Sequence, residues 1–176
     1  MGSDTIQGVP SWERQMNHDL QTDTHDGDLV VFLLGMRPRR TWRLGQAAFV
    51  GRSLRRMQAE IERDRKRGGA LGYLGGFKAI APGGPLLVQY WRSFEELESY
   101  SHSTDFAHRP AWLQFYKMAH AEGRSTVGIW HETYRVPAGA HESIYADLSA
   151  PVGLAAAVGA QPLARRGRTS RERIGA

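Results

Sequence analysis

The sequence contains no cysteine, which excludes a disulfide framework, a thiolate nucleophile and cysteine ligation of a metal. It also lacks any apolar run near the ~20 residues that a helix needs to cross a bilayer. The longest such run, Leu29–Met36, has the length of a strand. No basic, apolar and small-residue succession of a secretory signal opens the chain, so the expected location is cytoplasmic, without a membrane partner. The glycines at Gly68-Gly69, Gly72 and Gly75-Gly76 do not fall into the strand–turn–helix spacing of a dinucleotide loop. There is no phosphate-binding loop and no nucleophile elbow. The histidines at 102, 108, 120 and 131 do not form the i, i+4 pair with a carboxylate that marks a zinc site, so no metal is expected.

What is present is ordinary globular composition: 41% hydrophobic and 23% charged over 176 residues, enough for one domain with flanking tails. The net charge of +5 is mostly local. Arg165, Arg166, Arg168, Arg171 and Arg173 stand against Glu172 alone after Pro162, which leaves +1 for the rest. No aromatic residue or recognition motif stands beside those arginines, so they read as a solvated tail rather than a nucleic-acid site. The expected organisation is a flexible arm over 1–27, a domain over 28–150 and a basic, disordered tail over 151–176. Within the arm, Trp12 and Met16 are at helical spacing and could pack back on the domain.

Periodicity supplies the elements. Leu29–Met36 is apolar at every position but Gly35, as in a strand covered on both faces. From Phe49 to about Lys66, Val50, Leu54, Met57 and Ile61 recur at spacings of four, three and four, an amphipathic helix with one buried stripe. Leu71–Ile80 and Leu86–Trp91 are strand-like and flank a five-residue Pro- and Gly-rich loop, a hairpin. Ser93 and Glu96 have the spacing of a capping box for a helix burying Phe94, Leu97 and Tyr100. A second helical piece runs from 105 or 109 to Ala121 with Trp112, Phe115, Tyr116 and Ala119 as its apolar stripe. Thr126–Val136 alternates with period two: Val127, Ile129, His131 and Thr133 face one way, and Trp130, Glu132 and Tyr134 the other. His141–Leu148 suggests a short extra strand.

The order strand, helix, strand, strand, helix pair, strand is the ferredoxin-like split βαβ arrangement, an α+β fold. Helices cover one face of such a sheet. The other is apolar and uncovered in a monomer, which predicts a homodimer joined sheet to sheet as a closed barrel, with a cavity between sheet and helices.

Tyr90-Trp91-Arg92-Ser93-Phe94, His108-Arg109-Pro110-Ala111-Trp112 and Gly128-Ile129-Trp130-His131-Glu132-Thr133-Tyr134 resemble the monooxygenase-like family of dimeric α+β barrels, one fungal member of which belongs to fumagillin biosynthesis. Glu142-Ser143-Ile144-Tyr145 and Gly153-Leu154 continue the likeness, which covers about residues 28–155. The family is related to the antibiotic-biosynthesis monooxygenases. The resemblance therefore implies a small homodimeric monooxygenase acting on a hydrophobic organic molecule. Fold kinship also brings two other readings. One is a haem enzyme of the aldoxime-dehydratase-like branch, and the other a non-enzymatic small-ligand-binding module. The haem-degrading branch is less similar: it uses an asparagine on the first strand, and Asn17 is the sole asparagine here.

His131 leads the candidate catalytic residues, because imidazole is readily poised near neutral pH as base, acid or ligand. Its alternative is a satisfied histidine wedged in the sheet. His108, four residues before Trp112, is the second, as pocket group or haem ligand, against a first-turn capping role. Trp91, Trp112, Trp130 and Tyr134 are the expected substrate-binding aromatics, with simple core packing as the alternative.

Overall fold

The computed structural model describes residues 20–39, 44–121, 125–167 and 169–175, so the expectation for Trp12 and Met16 lies outside the described residues. The chain divides into two compact units, Gly27–Pro137 and a second drawn from Met1–Asp26 and Ala138–Ala176.

Gly27–Pro137 is a four-stranded antiparallel sheet with helices on one face. Its elements are β2 (Leu29–Pro38), α1 (Leu44–Lys66), β3 (Tyr73–Ala81), β4 (Gly84–Trp91), α2 (Phe94–His102), α3 (His108–Ala121) and β5 (Val127–Val136). The strand order β3-β4-β2-β5 is that of the ferredoxin-like split βαβ fold. The second unit pairs β1 (Gln21–Asp23) with β6 (Ala160–Pro162) and adds α4 (Gly153–Val158), a 3₁₀ turn at Leu163–Arg165 and α5 (Ser170–Ile174).

Alternation in β2 decides what each face carries. Val30, Phe32, Leu34 and Met36 point toward the helices, and Val31 and Leu33 point away. The first and last inward residues are buried in two separate core clusters. Val30 packs with Ile61, Tyr73, Trp91, Leu97 and Tyr100, and Met36 with Val50 and Val127. The stripe of α1 divides in the same way: Ile61 belongs to one cluster, Val50 to the other, with Leu54 and Met57 between them. Sheet and helix are therefore packed at both ends and stand apart in the middle.

The outward face carries Val31, Leu33, Phe77, Val88, Tyr90, Trp130 and Tyr134, as the strand register dictates. Trp130 lies directly over Gly35, where a Cβ would come within 2.1 Å of the indole. Phe77, Trp130 and Tyr134 remain 43%, 40% and 51% exposed.

Several expectations are corrected here. The hairpin loop is two residues, Pro82-Gly83, because Gly84 takes φ +133 and lets pairing run to Ala81↔Gly84. Ser93 caps α2 by accepting from the Glu96 amide at 3.2 Å, but the Glu96 carboxylate turns to Arg92 and the Ser93 hydroxyl. The stripe on α3 is not buried: Trp112 and Tyr116 are exposed. His141–Leu148 supplies only an isolated bridge between Tyr145 and Gln21.

The boundaries differ from 28–150 with a loose arm and tail. Residues after Pro137 fold with Gln21–Asp23, burying Thr22, Leu154, Ala155 and Leu163. Local periodicity could not foresee a three-residue strand whose partner lies far along the chain. Arginines read as solvated are also engaged: Arg173 pairs with Glu142, and Arg166 with Asp26 and the His25 carbonyl. Among the described residues, no helix is long and apolar enough to cross a membrane.

Candidate functional site

The gap between sheet and helices is a cavity of about 620 Å³ inside Gly27–Pro137. That is far larger than the packing defects of a core and within the range of small-molecule sites. The expected place of the cavity was between sheet and helices of a dimer; here a single chain forms it. Phe32, Leu34, Leu87 and Ile129 supply the sheet side, and Val50, Leu54, Met57 and Ile61 the helix side. A smaller hollow of about 330 Å³ beside α1 is lined by Arg56, Glu60 and Asp105, with no histidine.

Four of the six predicted site residues meet at the larger cavity: His108, His131, Trp91 and Trp112. They come from three different elements. His108 opens α3, Trp112 follows one turn later, His131 lies mid-strand on edge strand β5, and Trp91 ends β4. Trp130 and Tyr134 do not join them. Their strand parity turns them to the opposite sheet face, which corrects the expectation that they bind substrate in this cavity.

The two histidines differ in kind. His108 is half-buried, and its Nδ1 lies 2.8 Å from the Ser101 carbonyl oxygen. A carbonyl only accepts, so Nδ1 carries the proton and donates, and the neutral ring keeps its lone pair on Nε2. Burial lowers the pKa of His108. The Ser101 hydrogen bond opposes that shift, and the neighbouring charges of His102 and His131 reinforce it. His131 is exposed, its ring 5.6 Å from that of Phe32. The cavity thus carries a half-buried proton acceptor, His108, and a solvent-facing imidazole, His131.

Polar groups that the sequence reading passed over complete the lining. Gln58 and Gln89 both face the cavity, Gln89 only 7% exposed. Each had a signal in the sequence. Gln58 falls at a buried-stripe position of α1, four after Leu54 and three before Ile61, and Gln89 shares the inward parity of Leu87 and Trp91. Glu98, Ser101, His102 and Arg109 also line the cavity, with Arg109 donating to the His102 carbonyl at 3.1 Å. Among the described residues, no group of three or more His, Asp or Glu side chains is arranged to hold a metal ion.

The model of the family described as Monooxygenase af470-like matches residues 29–154, from the start of β2 into α4. No curated protein matches the chain. Three solved structures are similar to it. A Bacteroides thetaiotaomicron protein of unknown function, titled a possible oxidoreductase, is 7% identical, covering 63% of this chain and 99% of its own, with a TM-score of 0.35. A dimeric, ferredoxin-like protein of unknown function from Bacteroides fragilis is 13% identical, covering 60% and 96%, with a TM-score of 0.35. The protein SO0527 from Shewanella oneidensis is 11% identical, covering 66% and 96%, with a TM-score of 0.36.

Proposed function

Since the chain belongs to the Monooxygenase af470-like family, we propose that it is a small oxygenase whose cavity binds an apolar ring compound and whose histidines take a proton from it. The observation that carries this reading is the meeting of His108 and His131 at one apolar cavity. An acidic methylene between rings gives its proton to Nε2 of neutral His108. The exposed His131 passes charge to water. The carbanion then transfers electrons to dioxygen, and the hydroperoxide formed loses water to leave a ketone. One methylene and one dioxygen give one carbonyl and one water, so the stoichiometry closes without an outside reductant. The apolar walls keep bulk water from quenching the carbanion.

A second copy would cover the outward sheet face, where Phe77, Trp130 and Tyr134 stand exposed. Identical patches meeting about a two-fold axis make a homodimer the simplest solution.

The fixed tautomer of His108 supports one other reading, since the same Nε2 could hold the iron of a haem. Arg109 at the cavity would serve a propionate. Haem would then supply the oxygen chemistry, and His108 would hold iron instead of accepting a proton. A Soret band in purified protein, or after adding haemin, distinguishes the two.

The test is dioxygen uptake with a panel of anthrones and related fused-ring compounds, using isotopically heavy dioxygen and mass analysis of the product. The expected product has gained one labelled oxygen and lost two hydrogens. His108→Ala should lower the rate by roughly 10²- to 10⁴-fold with the fold intact. Tight binding of such compounds with no chemical change would identify a carrier or sensor instead.

A further inference from the structure

One wall of the cavity is backed by a chain of hydrogen bonds with a single direction. Trp91 Nε1 donates to Gln89 Oε1 at 3.2 Å, and Gln89 Nε2 donates to Gln58 Oε1 at 2.9 Å. Gln58 Nε2 donates to the Tyr73 hydroxyl at 2.7 Å, and that hydroxyl donates to Glu62 Oε1 at 3.0 Å. Chemistry fixes both ends, because an indole N–H only donates and an ionised carboxylate only accepts. The orientation of each amide, ordinarily ambiguous between oxygen and nitrogen, is therefore forced. Burial, and after it the charge of Glu62, raises the pKa of Tyr73, so its hydroxyl stays protonated and the direction holds.

The bonds leave a defined remainder. Gln58 Nε2 also donates to Glu62 at 3.4 Å, which uses both of its protons. Gln89 has given one N–H of two, and each amide oxygen has accepted one bond of two. One donor and two acceptor positions thus remain on two cavity-lining side chains, one of them nearly inaccessible to bulk water. Gly76 makes room for the arrangement. A Cβ there would come within 3.1 Å of the Tyr73 hydroxyl and 2.2 Å of the Val88 carbonyl.

We propose that Gln89 and Gln58 form the recognition end of the cavity, binding a neutral ring hydroxyl of an otherwise apolar substrate. This rests on the reading of the cavity as the active site. A hydroxyl matches the remainder, since it accepts the free N–H of Gln89 and donates to an amide oxygen. A carboxylate matches less well, because it only accepts and would face two amide oxygens with a single N–H left to donate to it, Glu62 being already paired with Arg65 at 3.1 Å. The register also sets a distance. Gln89 is opposite Phe32, and His131 is opposite Leu34. Their backbones stand two strands and two residues apart, roughly 12 Å, so a hydroxyl held at Gln89 lies well away from His131 along the sheet wall of the cavity.

The experiment compares the binding of naphthalene, 2-naphthol and 2-naphthoate to the full chain by fluorescence titration, in wild type and in Gln89→Leu. Wild type is expected to bind 2-naphthol roughly 10- to 100-fold more tightly than naphthalene, and 2-naphthoate most weakly. Gln89→Leu should keep its naphthalene affinity and lose the preference, whereas His108→Ala should retain it. If wild type binds naphthalene and 2-naphthol equally, the recognition role falls while the cavity reading stands. If it binds neither, both fall. A preference that persists in Gln89→Leu overturns the assignment to this amide. The three-ligand series on wild type decides the question alone should that variant fail to fold.

Discussion

Replacing Asp23 should loosen the second unit selectively. Its side chain is 0% exposed and accepts from Ser143 Oγ at 2.7 Å, the His25 amide at 2.8 Å and His141 Nε2 at 3.1 Å. In Asp23→Ala, Ser143 can turn to Thr22 Oγ1, 3.2 Å away, but the His25 amide and His141 Nε2 lose this acceptor. His141 already has a buried Nδ1 without a hydrogen bond. Each of these two donors costs about 1–3 kcal/mol when its buried acceptor is removed, so the expected loss is roughly 2–6 kcal/mol. That is a large fraction of the about 5–15 kcal/mol a domain possesses. The chain has two units, and a single global unfolding energy would blur the effect. Hydrogen exchange resolved by peptide is the suitable assay. Protection should fall in 20–26 and 138–167 and hold over β2 and β4. Unchanged protection in 138–167 would refute the reasoning. The same carboxylate predicts an acid limb. Burial alone would raise its pKa, but the hydrogen bonds from Ser143, the His25 amide and His141 outweigh burial and hold it below the ordinary value. Its contribution is therefore present above about pH 4, lost as pH falls through the lower folded value, and absent in Asp23→Asn.

Two further outcomes follow from the sheet unit. Activity that needs neutral His108 should rise with pH through an apparent pKa below 6.5, because burial lowers that group, and be level near neutrality. His102→Gln removes a neighbouring charge that lowers it further, so the acid limb of kcat/KM should move to higher pH; an unmoved limb would separate His108 from the rate. If copies pair through the outward face as proposed, Trp130→Glu combined with Tyr134→Lys on that exposed face should yield monomers in sedimentation while leaving helix content unchanged. A wild-type monomer at micromolar concentration would remove the sheet-to-sheet pairing.

Much of the sheet unit is legible in sequence because its periodicities are local. The β2 run and the Val50–Leu54–Met57–Ile61 stripe predict a strand and a helix that must meet. What they do not show is where they meet, since contact at both ends and separation in the middle depend on the large side chains of other elements, Trp91 and Tyr100 among them. The cavity is thus a product of tertiary packing. The parity of Trp130 and Tyr134 already opposed that of His131. Aromatic character alone does not place a side chain in a pocket; strand parity does, and it turns these two to the outward face. The tail differs for a related reason: Arg166 and Arg173 look solvated until Asp26 and Glu142 are brought beside them by pairing between distant segments.

The most direct test of the account is to fill the cavity without disturbing its packed ends. Met57 lines the cavity and belongs to neither core cluster, so Met57→Trp places a large ring in the space a substrate would take. Dioxygen uptake with a compound that wild type turns over should fall to background while the melting temperature is kept or raised. Undiminished turnover in a folded Met57→Trp protein would contradict the claim that chemistry occurs between this helix and this sheet.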